Sequence, residues 1–395
     1  MPLLVVSTVA AAHAQQQPRI QVMGQAVAAL THVDPVPRDS GLTELRVVQP
    51  VVMLRVTTGG LGFLATLNLE GATMPGGELA PGAWGEGFVD RRHPHTYAHE
   101  LMLTWHQSFG AVRAGLAIGK GFAPFGTDDP MSRPTLRYPV NHHISQILER
   151  ALFMGSVAAG PVGLELATFN GDEPERPSQW PNFKRFGDSW SARVTVMPVG
   201  GVETQVSLAR VASPEHRPGA ASEQWKWSAS ARIERSLGHT PVYGLIEWAR
   251  TSELDGVFVF HSVLMESAIT LGRHRPYARI ELTQRPEEQR LLDPFRSQRP
   301  HLENSILGIT RWTIATAGYT LAGPGRRVQL WPFVEVSYAG VTNITGGVFD
   351  PVLFYGRDTI WSFTLGIRLD AGMLGHRMGR YGVSTTPPHT AIMEH

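Results

Sequence analysis

The chain has 395 residues, a formal net charge of +1 and no cysteine. So small a net charge gives no bulk electrostatic reason for a nucleic-acid or acidic-lipid partner. The missing cysteines exclude a disulfide framework and thiolate metal ligation, and 41 glycines with 29 prolines foretell many turns.

An apolar run from Met1 to Ala12 precedes Ala12-His13-Ala14. It reads as a signal peptide over residues 1–14, although the usual positive leader is missing and Arg19 is the first basic residue. No later stretch approaches the roughly 18 uninterrupted apolar residues of a membrane helix.

Beyond it, period two dominates. Leu101, Leu103 and Trp105 alternate with Glu100, Met102 and Thr104. Trp190, Ala192 and Val194 alternate with Ser191 and Arg193, and Trp361, Phe363 and Leu365 with Ser362 and Thr364. Such runs predict sixteen strands near 19–32, 44–57, 62–71, 96–107, 111–120, 151–158, 162–169, 187–197, 201–212, 222–235, 241–251, 257–270, 273–285, 304–320, 326–341 and 357–370. Parity breaks within 257–270 and 304–320, where bulges are expected.

After the fifth strand comes a long segment carrying Pro124, Pro130, Pro134 and Pro139. These prolines forbid a continuous helix or a central strand. Its aromatic and apolar content argues for a folded loop that packs on something.

The connections decide the architecture. Short turns such as 59–60, 108–110, 159–161 and 198–200 alternate with long segments along the chain. Antiparallel neighbours joined in this way gather all short turns on one rim and all long loops on the other. The expected fold class is all-β, a transmembrane antiparallel β-barrel of about sixteen strands in the outer membrane. A soluble sandwich would alternate too, but it does not need one face so rich in charge. The expected organisation is a signal peptide over 1–14, a barrel over 15–370 and a periplasmic tail over 371–395. Trp105, Trp190, Trp225, Trp248, Tyr338 and Trp361 are expected to form interfacial girdles.

Parity assigns the pore-lining charges. The cations are Arg55, Arg113, Arg193, Lys226, Arg232, Arg279 and Arg368. The anions are Glu70, Glu100, Glu165, Glu203, Glu234, Glu281 and Glu335, similar in number to the cations. With both signs present, a one-sign ladder for strong anion selectivity is not expected. Lys120 is expected to face the pore at the start of the long loop, or else to snorkel at the rim.

Gly119-Lys120-Gly121-Phe122-Ala123-Pro124-Phe125-Gly126 followed by Ile147-Leu148-Glu149-Arg150-Ala151 resembles the phosphate-selective porin O/P superfamily, with Ala123 replacing one proline of the motif. A second resemblance is to poorly characterised outer-membrane barrels with a D-R-x-H-P-H segment, here Asp90-Arg91-Arg92-His93-Pro94-His95. These resemblances imply a porin-like barrel whose third loop folds inward as a constriction. That loop would present Phe122, Phe125, Asp128, Asp129, Arg133, Arg137, Tyr138, Glu149 and Arg150. The expected function is passive diffusion of small hydrophilic solutes or ions. The alternatives are a non-conducting structural or adhesive barrel, a metal-binding barrel and an outer-membrane lipase. Expected partners are outer-membrane lipid and those solutes, with a homo-trimer as the candidate assembly, no nucleic acid and no cofactor.

His93, His95 and His99 close the second long loop, and His142 and His143 lie in the third. They read first as a hydrogen-bonded lattice pinning the two loops. A metal site is the alternative, since neutral imidazole is the commonest metal ligand. No catalytic residue is expected. Ser145 beside His142, His143 and Asn141 carries no nucleophile motif.

Overall fold

The computed structural model describes residues 18–35, 41–73, 95–174, 176–212, 223–288, 306–323, 328–344, 350–372 and 377–383. The signal segment, His93 with most of the D-R-x-H-P-H segment, and residues 384–395 lie outside them.

The strands are β1 (Arg19–Asp34), β2 (Leu42–Thr58), β3 (Leu61–Asn68), β4 (Ala98–Phe109), β5 (Val112–Gly121), β6 (Arg150–Ala159), β7 (Val162–Phe169) and β8 (Ser189–Val199). They continue as β9 (Val202–Ala212), β10 (Glu223–Leu237), β11 (Thr240–Glu253), β12 (Phe258–Ile269), β13 (His274–Glu288), β14 (Ile306–Leu321), β15 (Val328–Asn343) and β16 (Thr359–Gly372). Each pairs antiparallel with its sequence neighbours, and β1 pairs with β16, so all sixteen close into one barrel.

Strand positions follow the sequence pattern with three informative departures. β3 stops at Asn68 because its side chain accepts from the Glu70 amide at 2.9 Å, which starts a helical turn, α1 (Glu70–Thr73). β12 runs without a bulge. Its parity is obscured because Phe260 and Leu264 point to the buried side, where Phe260 packs with Ile144 of the long loop. At β4 the register against β3 slips between Thr66 and Leu67, so His99 and Glu100 are both fully buried.

The wall inverts the burial rule of a soluble protein. On β13, Arg279 and Glu281 are each 1% exposed, whereas Ile280 and Leu282 are 53% and 45% exposed. Leu103, Leu116, Ile118, Leu166, Val206 and Met265 continue the exposed apolar surface. So large a continuous apolar surface is a lipid-facing one. Backbone groups satisfied by a closed ladder permit strands to cross lipid. Among the described residues no helix is long and apolar enough to do so.

Trp190, Trp225, Trp248, Tyr338 and Trp361 are exposed and sit toward the long-loop ends of their strands. Trp190 meets Trp225 edge-on at 6.0 Å. Trp105 lies at the opposite end of the wall, paired with Leu61 beside a short turn. Such amphipathic rings suit the headgroup levels.

Purified in detergent, the chain is expected to give a β-type circular dichroism spectrum and heat-modifiable gel migration. Leu116→Arg, midway along β5, should cost roughly 2–4 kcal/mol in urea unfolding from bilayers. An unchanged midpoint would mean that this face does not meet lipid.

Candidate functional site

The segment between β5 and β6 is the most buried connection described. Phe122, Phe125, Asp128, Asp129, Arg133, Arg137, Tyr138, Glu149 and Arg150 are all at most 5% exposed. Local chemistry sets its path. Ala123 N donates to Ile147 O at 3.1 Å, so the two limbs run together. Asp129 caps the tight turn Pro130–Ser132 by accepting from Met131 N at 2.8 Å. A short helix, α2 (His142–Ser145), follows. Gly126 has φ +63°, and a Cβ there would stand 1.7 Å from Ser145 O, so only glycine fits.

The segment is tied to the buried face of much of the ring. Gln49 of β2 donates to Leu136 O at 3.2 Å. Arg193 of β8 donates to Gly126 O at 3.2 Å, and Gly126 N donates to Ser207 of β9 at 2.9 Å. Arg232 of β10 reaches both Asp128 oxygens, at 2.8 and 2.7 Å. Glu247 of β11 accepts from Thr127 at 2.5 Å and from Asn141 at 2.9 Å. Arg279 of β13 donates to the carbonyls of Arg137 and Tyr138 at 2.5 and 3.0 Å, while Glu281 accepts from Val140 N at 2.7 Å. Arg137 donates to Ser362 of β16 at 3.0 Å. One apolar cluster joins Phe122, Phe125 and Tyr138 to Met102 of β4 and Phe169 of β7.

Several residues expected to line a pore therefore hold the loop. Arg193 also pairs with Glu165 at 2.6 Å, and Lys226 sits over the Phe125 ring at 5.8 Å. Glu234 pairs with Arg232 at 2.5 Å, and Glu335 accepts from Tyr277 at 3.0 Å. Arg368 pairs with Asp370 at 3.0 Å, and Arg150 lies 3.5 Å from Glu173. Arg55 is half-buried, and Arg113 is exposed beside a short turn. Lys120 lies near the end of β5. It stands opposite Leu101 on the parity of exposed Leu116 and Ile118. Its ammonium donates to Thr96 Oγ1 and Ala98 O, and it is 3% exposed.

The tail carries a second set, since the sequence suggests that it tucks along the lower rim through His376, Arg377, Arg380 and Tyr381. Residues 377–383, beyond the closing strand, are packed against the loop and the wall rather than along the lower rim alone. Arg377 donates to Asp128 at 2.5 Å and to Glu203 of β9 at 2.7 Å. Arg380 donates to Glu203 at 3.1 Å and to Gln205 at 2.8 Å. Tyr381 donates to Glu100 at 2.5 Å and accepts from Phe122 N at 3.1 Å. Val383 N donates to Ser156 of β6 at 3.1 Å. Burial alone would raise the Asp128 carboxyl, but the guanidiniums of Arg232 and Arg377 hold it well below the usual carboxylate range.

Among the described side chains, the loops bring His95, His99 and His142 together. The His95 ring lies 4.8 Å from that of His99 and 5.9 Å from that of His142. His99 Nδ1 stands 2.8 Å from Glu149 Oε1. Burial works against the Glu149 charge, yet His99 and Lys120 hold its carboxyl well below the usual range. His93 lies outside the described residues. The Ser145 hydroxyl donates to the His142 carbonyl at 3.4 Å, and the Asn141 amide donates to Glu247 at 2.9 Å.

Closed sixteen-strand antiparallel barrels of this design are the porin fold. The anion-selective porin from Comamonas acidovorans superposes with a TM-score of 0.56 at 12% identity, over 90% of this chain and all of that one. OprB of Pseudomonas putida gives 0.52 at 10% identity, over 90% of this chain and 94% of that one. The trimer form of OmpT, an outer membrane protein of Vibrio cholerae, gives 0.50 at 10% identity, over 91% of this chain and all of that one. No family model matches the chain, and no curated protein does. Nothing in these likenesses supports the phosphate-selective porin resemblance or the D-R-x-H-P-H resemblance.

Arg279→Ala should leave the buried Glu281 without its ion-pair partner and two carbonyls without their guanidinium donor, at a cost of about 3–5 kcal/mol. Arg210→Ala, which breaks the half-exposed pair with Glu223, should cost less than about 1 kcal/mol. Urea midpoints of the folded barrel measure both, and equal effects would contradict the burial argument.

Proposed function

We propose that the protein is an outer-membrane channel of porin type for small hydrophilic solutes or ions. Residues 121–149 cross its lumen as a constriction, and residues 377–383 enter from the short-turn rim beneath them. The observation that carries this reading is the ring of bonds from one loop to β2, β8, β9, β10, β11, β13 and β16. A loop capping the outside could not reach the buried face of so many strands. The remaining charges near the constriction are of both signs, which favours weak ion preference set by size rather than a phosphate filter. Assembly as a homo-trimer belongs to the same proposal.

The interlocked loop and tail also favour a second reading, a barrel that stays closed until the tail is withdrawn. Planar-bilayer recording separates the two. The open-channel reading predicts small steady steps for the full chain, and the closed reading predicts none. Removing residues 127–141, or truncating the chain after Gly372, should raise single-channel conductance severalfold under the first reading and create conducting steps under the second, in barrels that remain heat-modifiable. Unchanged conductance in both variants would overturn the constriction.

A further inference from the structure

We propose that His95, His99, His142 and Asp129 form a binding site for one divalent first-row transition metal ion, Zn2+ being the best fit, with Glu149 as the carboxylate that orients His99.

Three separate stretches supply the donors. His95 and His99 flank the start of β4, Asp129 stands before the tight turn of the loop, and His142 opens α2. His95, His99, Asp129 and His142 are all at most 6% exposed. The bulge in β4 is what turns His99 to the buried side together with Glu100.

The hydrogen-bond accounting points to a missing partner. His99 Nε2 and Asp129 Oδ2 are buried and have no hydrogen-bond partner among the described residues. Buried polar atoms are nearly always satisfied, and an exception calls for an ion or water. Asp129 Oδ2 lies 3.9 Å from His142 Nε2, too far for a hydrogen bond. Two ligands on a tetrahedral ion with bonds near 2.0–2.1 Å stand roughly 3.3 Å apart, so a shift of well under 1 Å would let both reach one ion.

Ligand atoms of His95, His99 and Glu149 lie within 4.8 Å of one another. Glu149 Oε1, however, already accepts from Thr96 N at 3.0 Å, from Thr96 Oγ1 at 2.6 Å and faces His99 Nδ1. It is therefore better suited to hold the Nδ1 proton of His99 and leave Nε2 to bind, as carboxylates behind metal-bound histidines do. The Lys120 ammonium, 3.8 Å from Glu149, offsets its charge. Three imidazoles and a carboxylate, with no thiolate, match Zn2+ and its neighbours in the first row and not Ca2+ or Mg2+. Phe122 packs edge-on at 5.2 Å from His99, and Tyr138 lies 5.1 Å from His142, so the site is dry on two sides. A bound ion would clasp the loop to β4.

The test uses the full chain refolded in detergent, stripped with a chelator and dialysed against Co2+. About one Co2+ per chain, with the visible bands of a tetrahedral site, is expected. His142→Gln should abolish them, and Glu149→Gln should weaken binding about 10–100-fold. Should a variant fail to fold, added Zn2+ must still raise the unfolding temperature of the wild-type barrel. Wild-type protein that holds no stoichiometric Co2+ and gains no stability from Zn2+, or His142→Gln binding as wild type, would overturn the site.

Discussion

One buried carboxylate links the three parts of the molecule. Asp128, in the loop, is held by Arg232 from the wall and by Arg377 from the tail. A carboxylate taken this far from water persists only if its charge and lone pairs are met. Arg377 is in turn shared with Glu203, which also receives Arg380. The charges therefore form a chain in which each member is tolerated because of the next. Such a network contributes less to stability than to choosing one arrangement of loop and tail over others, because desolvation offsets most of its Coulombic attraction. The apolar contacts of Phe122, Phe125, Met378 and Tyr381 supply the packing around it.

The barrel makes that chain of charges affordable. Closing β1 onto β16 satisfies every strand edge, so the outer face can be uniformly apolar while the inner face carries the charge. An open sheet of the same sequence would expose either ladder edges or buried charges. The same geometry brings Arg193, Arg232 and Arg279, far apart in sequence, onto one convergent surface facing one loop.

The wall was legible in the sequence because lipid outside and polar groups inside turn strand geometry into strict alternation. Where the inner face is itself apolar, as at Phe260 and Leu264, that signal fades although the strand is regular. The burial of the loop was legible from its prolines and aromatics, but its partners were not. Arg377 and Glu203 are 174 positions apart, and nothing in Arg377-Met378-Gly379-Arg380-Tyr381 has a period that betrays a docking face. Histidine spacing marked His95, His99 and His142, whereas Asp129 and Glu149 looked like ordinary loop charges. Parity would have sent His99 outward, and the register slip opposite Leu67 reverses it. Lys120 shares the register parity of exposed Leu116 and Ile118, yet its ammonium turns to Thr96 and Ala98, which strand alternation cannot foretell.

Hydrogen–deuterium exchange of the folded barrel tests the central claim most directly, because it needs no substitution. The amides of Phe122, Gly126, Val140, Gly379 and Val383 each donate to a side chain of the wall or the tail. If loop and tail are locked together inside the wall, peptides spanning 122–149 and 377–383 will exchange on the slow timescale of the strands. Exchange of both segments as fast as a free surface loop would contradict the account.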